Sequence, residues 1–260
     1  MARAGRDFIA CRWVSVAHGV AVAVFGAALF AIARDRFWLL AGAFSGFLVV
    51  APVLATGLYA LSRALERGEK ADFALLVRTW TRWGVNRRSD PSSYWCLVRF
   101  GLLLAFAGTG WVLTSAAFIT LFSPVAISSP EDFVRHVVLA PDHFVFEAWL
   151  TMGGLLAAPV FASSVISMPL LLDRHVNALD AVLVSWRVVM ANPVTMAVWA
   201  LMLMIFTFCG FVTALLGMMA IVPMLGHASW HAYRDLVDAS AISERVAAND
   251  ATGTATRAHA

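Results

Sequence analysis

Residues Val194 to Ile221 read VTMAVWALMLMIFTFCGFVTALLGMMAI, a run of 28 residues without a charged side chain. A hydrocarbon layer of about 30 Å is crossed by about 20 helical residues, each rising about 1.5 Å. The run is therefore too long for one membrane span, and its length suits two spans joined by a tight turn. We expect that turn at Gly210, because glycine adopts backbone conformations that other residues avoid. One long, tilted span is the alternative, and it would leave five spans in the chain instead of six.

The composition of the whole chain indicates the same class of protein. Its 260 residues are 61% hydrophobic and only 13% charged, and the mean hydropathy is +0.78. Soluble domains carry about 25% charged residues. Because backbone groups inside lipid must bond to one another, the spans must be helices. The sequence predicts an all-α, polytopic membrane bundle of six transmembrane helices in three hairpins, with spans at 13–33, 37–62, 95–122, 144–172, 194–209 and 211–233.

The distribution of Lys and Arg predicts the orientation of these spans. With the span ends included, all 19 of these residues except Arg34, Arg36 and Arg135 fall on the side that holds both termini. Cytoplasmic loops carry such an excess of positive charge. We therefore expect a multi-pass protein of the bacterial inner membrane with both termini in the cytoplasm, and no nucleic-acid partner. The tripeptide AIA at 31–33 resembles a signal-peptidase site, so cleavage there is an alternative, although the preceding apolar run exceeds the roughly 7–15 residues of a signal peptide.

The chain also repeats itself. PVLATGLYALSR, from Pro52 to Arg63, and PMLGHASWHAYR, from Pro223 to Arg234, place proline, leucine and arginine at the same offsets. MPLLLDR, from Met168 to Arg174, is a third such exit from a predicted span. These three exits predict three copies of one hairpin plan, near 5–70, 71–175 and 176–238, related by an axis along the membrane normal. The simpler alternative is that any helical hairpin shows aromatic residues and arginine where it leaves the membrane.

Two connectors have the periodicity of amphipathic helices. In 72–84 and in 178–190, apolar residues recur at intervals of three and four. We expect both segments to lie in the headgroup layer. The resulting domain prediction is a cytoplasmic N-terminal segment over 1–12, a transmembrane domain over 13–238 and a disordered cytoplasmic tail over 239–260.

The candidate site lies at the three exits. Charged residues within spans mark function, but the centres of these spans contain no Asp, Glu, Lys or Arg. No catalytic residue is predicted. Instead, we expect an arginine of one exit, Arg63 or Arg174, to pair with an acidic residue of a neighbouring exit, such as Asp173, Glu66 or Asp235. The predicted structural or functional cluster comprises His227, His231, Trp230, Tyr233, Arg234, Asp173, Arg174, Arg63, Glu66, Pro223, Pro52 and Pro169.

The histidines allow a second interpretation of the same region. His227 and His231 are four residues apart and share a helix face. His18 enters the first span at a similar depth, and three imidazoles at one level could bind a metal or haem iron. The more ordinary interpretation is an interfacial anchor, in which histidine, tryptophan and tyrosine lie at the headgroup layer. No cofactor is predicted, with haem or metal as the alternative.

Three segments carry a family resemblance. SRALERG (62–68), PLLLDR (169–174) and GHASWHAYR (226–234) resemble the hallmark segments of a bacterial family of predicted integral membrane proteins of unknown function. The resemblance covers roughly 35–235 and implies a polytopic inner-membrane protein without an established activity. The N-terminus is shorter than the family leads us to expect, so a first interfacial helix is expected to be vestigial.

Some family members carry an automatic label as cytochrome c oxidase subunit I. This chain has six predicted spans instead of twelve and lacks a set of intramembrane histidines for two haems and copper, so that activity is not carried over. The sequence favours a non-enzymatic accessory, scaffold or assembly subunit of a larger membrane complex, respiratory or photosynthetic. The expected partners are the lipid bilayer and other membrane protein subunits. A channel or carrier for lipid or neutral solute is one alternative, and a haem- or metal-binding membrane protein is another.

Overall fold

The computed structural model describes residues 1–81, 95–142 and 144–244. Within these ranges the chain is helical, with short turns and no β-strand. The helices are α1 (Ala2–Ala10), α2 (Arg12–Ala33), α3 (Phe37–Leu54), α4 (Thr56–Glu66), α5 (Phe73–Thr81), α6 (Trp95–Phe122), α7 (Pro130–Phe133), α8 (Phe144–Ser164), α9 (Ser167–Asp173), α10 (Ala178–Ala191), α11 (Pro193–Val212) and α12 (Met218–Leu236), and a π-helix (Val134–Val138) follows α7. The all-α fold class is as predicted.

Four helical segments are long and apolar enough to cross a membrane. They are Arg12–Ala33, Leu97–Phe122, Phe144–Asp173 and Pro193–Val212. A fifth is possible if Phe37–Val49 and Ala51–Glu66, which bend by 50° at their junction, form one span. These segments match five of the six predicted spans. The sixth, 211–233, corresponds mostly to α12, which is a helix but is not among the segments that meet this criterion, so the count of six stays a prediction.

The turn between the last two helices is not where we expected it. α11 continues through Gly210 to Val212, and the turn is made by 213–217, with positive φ at Ala214 (50°) and Leu215 (69°). The Thr213 hydroxyl accepts a hydrogen bond from the Gly217 N–H at 2.9 Å, which closes the turn. The prediction of a turn at Gly210 is wrong because this glycine serves packing: a Cβ there would lie 2.7 Å from the Met218 sulfur.

Two of the exit prolines accompany breaks in their helices. The break between α3 and α4 follows Pro52, and the Thr56 hydroxyl donates to the Val53 carbonyl at 2.7 Å. Proline has no N–H and leaves the carbonyl four residues earlier without its usual partner. Hydroxyl groups beside such breaks bond to backbone groups that the helix leaves unpaired.

The break between α8 and α9 lies just before Pro169. There the Ser185 hydroxyl of α10 donates to the Ala162 carbonyl at 2.6 Å and accepts from the Ile166 N–H at 3.2 Å. Ser185 is fully buried. α10 is therefore joined to the break by hydrogen bonds as well as by apolar packing. The third proline, Pro223, lies within α12 and does not interrupt it.

The helices pack in a defined order. α11 contacts α12, α12 contacts α2, α2 contacts α3, α3 contacts α6, and α6 contacts α8. α4 lies between α5, α9 and α12 at the end of the bundle where the three predicted exits meet. We call this the exit end. The main cluster of buried apolar residues lies beside it and includes Tyr59, Leu170 and Trp230.

The predicted amphipathic connectors form helices. α5 covers 73–81 of the first connector, while 82–84 lie outside the described residues, and α10 covers the second. The N-terminal segment differs from the expectation of a vestigial helix: α1 packs against α12 and buries Ala4. At the other end, 239–244 belong to the folded part, since Ala239 is buried and Glu244 forms a β-bridge with Arg174. The rest of the predicted tail lies outside the described residues.

Candidate functional site

One buried carboxylate organises the exit end. Asp173, the last residue of α9, is 2% exposed. Its Oδ1 lies 3.0 Å from Arg63 Nε, and its Oδ2 lies 2.9 Å from Arg174 Nε. The Tyr233 hydroxyl donates to the same Oδ2 at 2.9 Å. A charge out of water requires partners of opposite charge and hydrogen-bond donors, and Asp173 has both. We call this group the Asp173 centre.

The arginines of all three exits approach this carboxylate. Arg63 comes from α4, Arg174 follows α9, and Arg234 of α12 lies 3.9 Å from Oδ2. Arg67, one turn after Arg63, lies 3.7 Å from Oδ1. The prediction that an exit arginine pairs with an acid of a neighbouring exit is confirmed for Arg63 and Asp173.

The other two candidate acids have different partners. Glu66 pairs with Arg234 of α12 at 3.3 Å, which is a second contact between exits. Asp235 pairs with Arg3 of α1. The N-terminal helix is thus tied to the end of α12 by an ion pair at the surface.

A chain of hydrogen bonds runs from the surface to the first span. His227 is fully buried, with Nε2 at 2.9 Å from the Ser15 hydroxyl and Nδ1 at 2.7 Å from the Ser62 hydroxyl. Ser62 donates to the Asp7 carboxylate at 2.7 Å. A hydroxyl has one hydrogen and an ionised carboxylate only accepts. His227 therefore donates from Nδ1 to Ser62, and a neutral ring then accepts at Nε2 from Ser15.

His231 continues this chain on the other side of Asp7. Its Nε2 lies 2.8 Å from Asp7 Oδ2, and its Nδ1 lies 3.5 Å from Glu66 Oε1. A carboxylate at each ring nitrogen accepts a hydrogen bond and attracts positive charge, so the protonated imidazolium form of His231 is favoured. Although burial alone raises the pKa of Asp7, the hydrogen bonds from His231 and Ser62 hold that pKa below its usual value. Asp7 is thus an ionised link between α1, α4 and α12.

The remaining candidates of the predicted cluster are a buried tryptophan and three prolines. Trp230 is buried and packs against Tyr233, with ring centroids 5.5 Å apart. The three prolines, Pro52, Pro169 and Pro223, lie within α3, α9 and α12.

The three histidines of the metal alternative, His18, His227 and His231, do not form a metal site among the described residues. Both ring nitrogens of His227 are bonded to serines. His18 is buried on α2, and its Nε2 has no hydrogen-bond partner among the described residues. Within those same residues, no three His, Cys, Asp or Glu side chains are grouped as a metal ion would require.

Sequence reasoning missed several members of the cluster. Asp7, Ser15, Arg67 and Glu244 all bond to predicted site residues. A signal existed for Asp7, which is the single acidic residue before Asp35. Glu244 lies in a small, polar segment that gives no comparable signal.

The arrangement explains how the exit end is held together. Asp7, Asp173 and Glu66 each join at least two helices by charge-assisted bonds, which are about twice as strong as neutral ones. The hydroxyl–imidazole chain adds α2 to the same network through Ser15. Chemically, the network can hold protons at defined atoms and neutralise buried charge. Its first effect is to fix α1, α2, α4, α9 and α12 relative to one another.

The comparisons with known proteins concern the part of the chain that carries two of the three exits. A family model described as a predicted integral membrane protein (DUF2189) matches residues 39–173, just over half of the chain. The matched segment includes Arg63, Glu66 and Asp173. No curated protein and no solved structure matches the chain.

Proposed function

The chain belongs to this DUF2189 family of predicted integral membrane proteins, as the resemblance of its exit segments predicted, and on that premise we propose that it is a non-enzymatic accessory or scaffold subunit of a larger membrane complex. The proposal includes α12 as a sixth span. It places the exit end on the cytoplasmic side of a bacterial inner membrane, in keeping with the excess of Lys and Arg there.

The observation that carries the proposal is the open face of α11. Of its 20 residues, only Met196 and Gly210 are buried. Large apolar side chains on the open face recur at alternating steps of four and three residues. They are Val194, Val198, Leu201, Ile205, Phe208 and Val212.

That spacing is the one with which two helices interdigitate. Side chains repeating every 3.5 residues form a seam that inserts into the spaces of a neighbouring helix, and most membrane bundles use the same geometry. Within this chain, α11 contacts mainly α12, and the six seam side chains are 48–77% exposed. A helix from another subunit would cover the seam.

The exit end supports the same proposal. Its buried charges are compensated inside the chain, through Asp173 with Arg63 and Arg174 and through Asp7 with His231. A bundle fixed in this way presents the α11 seam at a constant position, which is what a docking subunit needs. Respiratory and photosynthetic assemblies are the partner complexes that we propose to look for first.

The experiment is isolation of the tagged full-length chain from its native membrane in mild detergent, with mass spectrometry of the bound proteins. We expect a stoichiometric membrane partner. A double variant, Leu201→Ala with Ile205→Ala, should release the partner without unfolding the chain. The matched control is Leu102→Ala with Leu103→Ala on α6, two leucines of comparable exposure, and this variant should keep the partner.

Two results would contradict the proposal. One is a stable chain that purifies without a partner under conditions that preserve known complexes of the same membrane. The other is equal partner loss from the seam variant and the α6 control. A lone, stable chain would favour the carrier alternative, which is then tested by flux of lipid or neutral solute in liposomes.

A further inference from the structure

A small cavity opens at the exit end beside the Asp173 centre. Its volume is about 260 Å³. It is formed by the ends of α4, α9 and α12 and by the segment that follows α12. Three arginines line it, Arg63, Arg67 and Arg234, and so do three carboxylates, Asp173, Glu66 and Glu244. The formal net charge of the lining is therefore zero with Glu244 and positive without it.

Glu244 differs from the other two acids. Its side chain is 54% exposed, compared with 3% for Asp173 and 31% for Glu66. It lies outside the helices, eight residues after the end of α12. Its segment is held by bonds from the His175 N–H to the Ser243 carbonyl and from the Arg174 guanidinium to the Ile242 carbonyl. Glu244 is thus brought into the cavity from outside the helix bundle.

The carboxylate of Glu244 bridges two guanidinium groups. One oxygen lies 2.6 Å from Arg67 Nη2, and the other lies 3.2 Å from Arg174 Nη2. Guanidinium groups bind phosphate in the same way, with separate oxygens on separate donors. The position of Glu244 is therefore also a suitable position for a phosphate group.

A second observation points to a missing acceptor. Trp230 lines the same cavity and is 1% exposed, and its indole N–H has no hydrogen-bond partner among the described residues. An indole N–H can only donate, and a buried donor without an acceptor is unfavourable. The lining thus contains three arginines and a tryptophan whose donor is unused among the described residues, a composition that suits an anion with several acceptor oxygens.

The cavity lies beside the ends of two candidate spans. Asp173 ends the candidate span Phe144–Asp173, and Glu66 ends the bent pair that begins at Phe37. The ends of spans lie where hydrocarbon gives way to the polar headgroups, and basic pockets at this level suit anionic headgroups. A phosphodiester carries one negative charge, the same charge as the Glu244 carboxylate.

We propose that this arginine-lined cavity binds a phosphate group, from an anionic lipid headgroup or from a free phosphate compound, in the place that the Glu244 carboxylate occupies. The site goes beyond the scaffold role and does not depend on it. Arg67 of the lining and Arg174, which meets Glu244 from beside the lining, hold the phosphate oxygens, and Glu244 competes with the ligand.

The test uses the purified full-length chain in two arms. In the first arm, native mass spectrometry counts the phosphatidylglycerol retained from nanodiscs that contain phosphatidylglycerol and phosphatidylcholine. In the second arm, the thermal midpoint is followed as inorganic phosphate is added to detergent-solubilised protein, with chloride at equal ionic strength as reference. The variants are Glu244→Gln and Arg67→Gln. Their controls are Glu131→Gln and Arg135→Gln, an exposed ion pair outside the exit end.

Glu244→Gln should strengthen phosphate binding about two- to fivefold in at least one arm, since a half-exposed ion pair is worth about that factor. Arg67→Gln should weaken it, and both controls should match the unchanged chain. An effect in the lipid arm alone assigns the site to a headgroup, and an effect with inorganic phosphate assigns it to a free phosphate compound. No change with Glu244→Gln in either arm overturns the proposal. Equal losses with Arg67→Gln and Arg135→Gln also overturn it, because they indicate unspecific attraction to surface charge.

Discussion

The backbone carbonyl of Met219 in α12 faces Gly19 in α2. A Cβ at Gly19 would lie 2.8 Å from the Met219 carbonyl carbon and closer still to its oxygen. This carbonyl is four residues before Pro223, which has no N–H to bond it. Pro223 and Gly19 therefore act as a pair. Pro223 leaves the Met219 carbonyl without its usual partner in α12, and Gly19 allows α2 to approach that carbonyl.

Replacing Gly19 should separate the two helices. We expect Gly19→Ala to lower the free energy of unfolding by about 1–3 kcal/mol, the usual cost of forcing an extra methyl into a packed interior. Gly110→Ala on α6, where an added Cβ meets nothing within 4 Å, is the matched control and should not destabilise. SDS titration of the refolded protein in mixed micelles measures both. Equal stability of the two variants would show that α2 and α12 adjust at no cost.

The Asp173 centre predicts a larger effect. Asp173→Asn leaves the guanidinium groups of Arg63 and Arg174 near a neutral amide inside the bundle. Removing one partner of a buried ion pair costs about 3–5 kcal/mol, and we expect a loss of that size in the same titration. Asp35→Asn, whose ion pair with Arg34 is exposed, should change stability by less than about 1 kcal/mol. A loss for Asp173→Asn no larger than that of the control would mean that water reaches the centre.

The hydrogen-bond chain fixes the tautomer of His227. We expect a neutral ring with hydrogen on Nδ1, because Ser62 gives its own hydrogen to Asp7. The ¹⁵N NMR shifts of the ring nitrogens should show Nδ1 protonated and Nε2 bare. Ser62→Ala should remove this preference and destabilise by about 1–3 kcal/mol, since it leaves buried groups unpaired. The control for the loss of stability is Ser240→Ala, on an exposed residue after α12. A hydrogen on Nε2 of His227 in the unchanged chain would contradict the tautomer assignment.

The sequence predicted the parts of this structure that depend on local pattern. Hydropathy located the segments that are candidate spans in the structure. The offsets of Pro52 and Pro223 led to the expectation that Arg63 meets an acid of another exit, because residues at equal depth can touch. Asp7 and Glu244 were missed because their contacts depend on how α1 and the segment after α12 fold back on the bundle, and no periodicity encodes that. The turn at Gly210 was misplaced because a glycine that admits a neighbouring side chain and a glycine that makes a turn look alike in sequence.

Asp7 predicts how stability depends on pH. Bonds from His231 and Ser62 hold its pKa in the folded chain below the ordinary value of 3.8. A carboxyl with a lowered pKa stabilises the fold fully above its unfolded pKa, and that contribution is lost as pH falls through the folded pKa. The stability advantage of the unchanged chain over Asp7→Asn should therefore be fully present near pH 5 and shrink below about pH 4. Thermal midpoints across this range measure it, with Asp35→Asn as the control for general acid effects. A difference that grows as the pH falls below about 5 would show that Asp7 is protonated when folded, and the link between α1, α4 and α12 would then need another explanation.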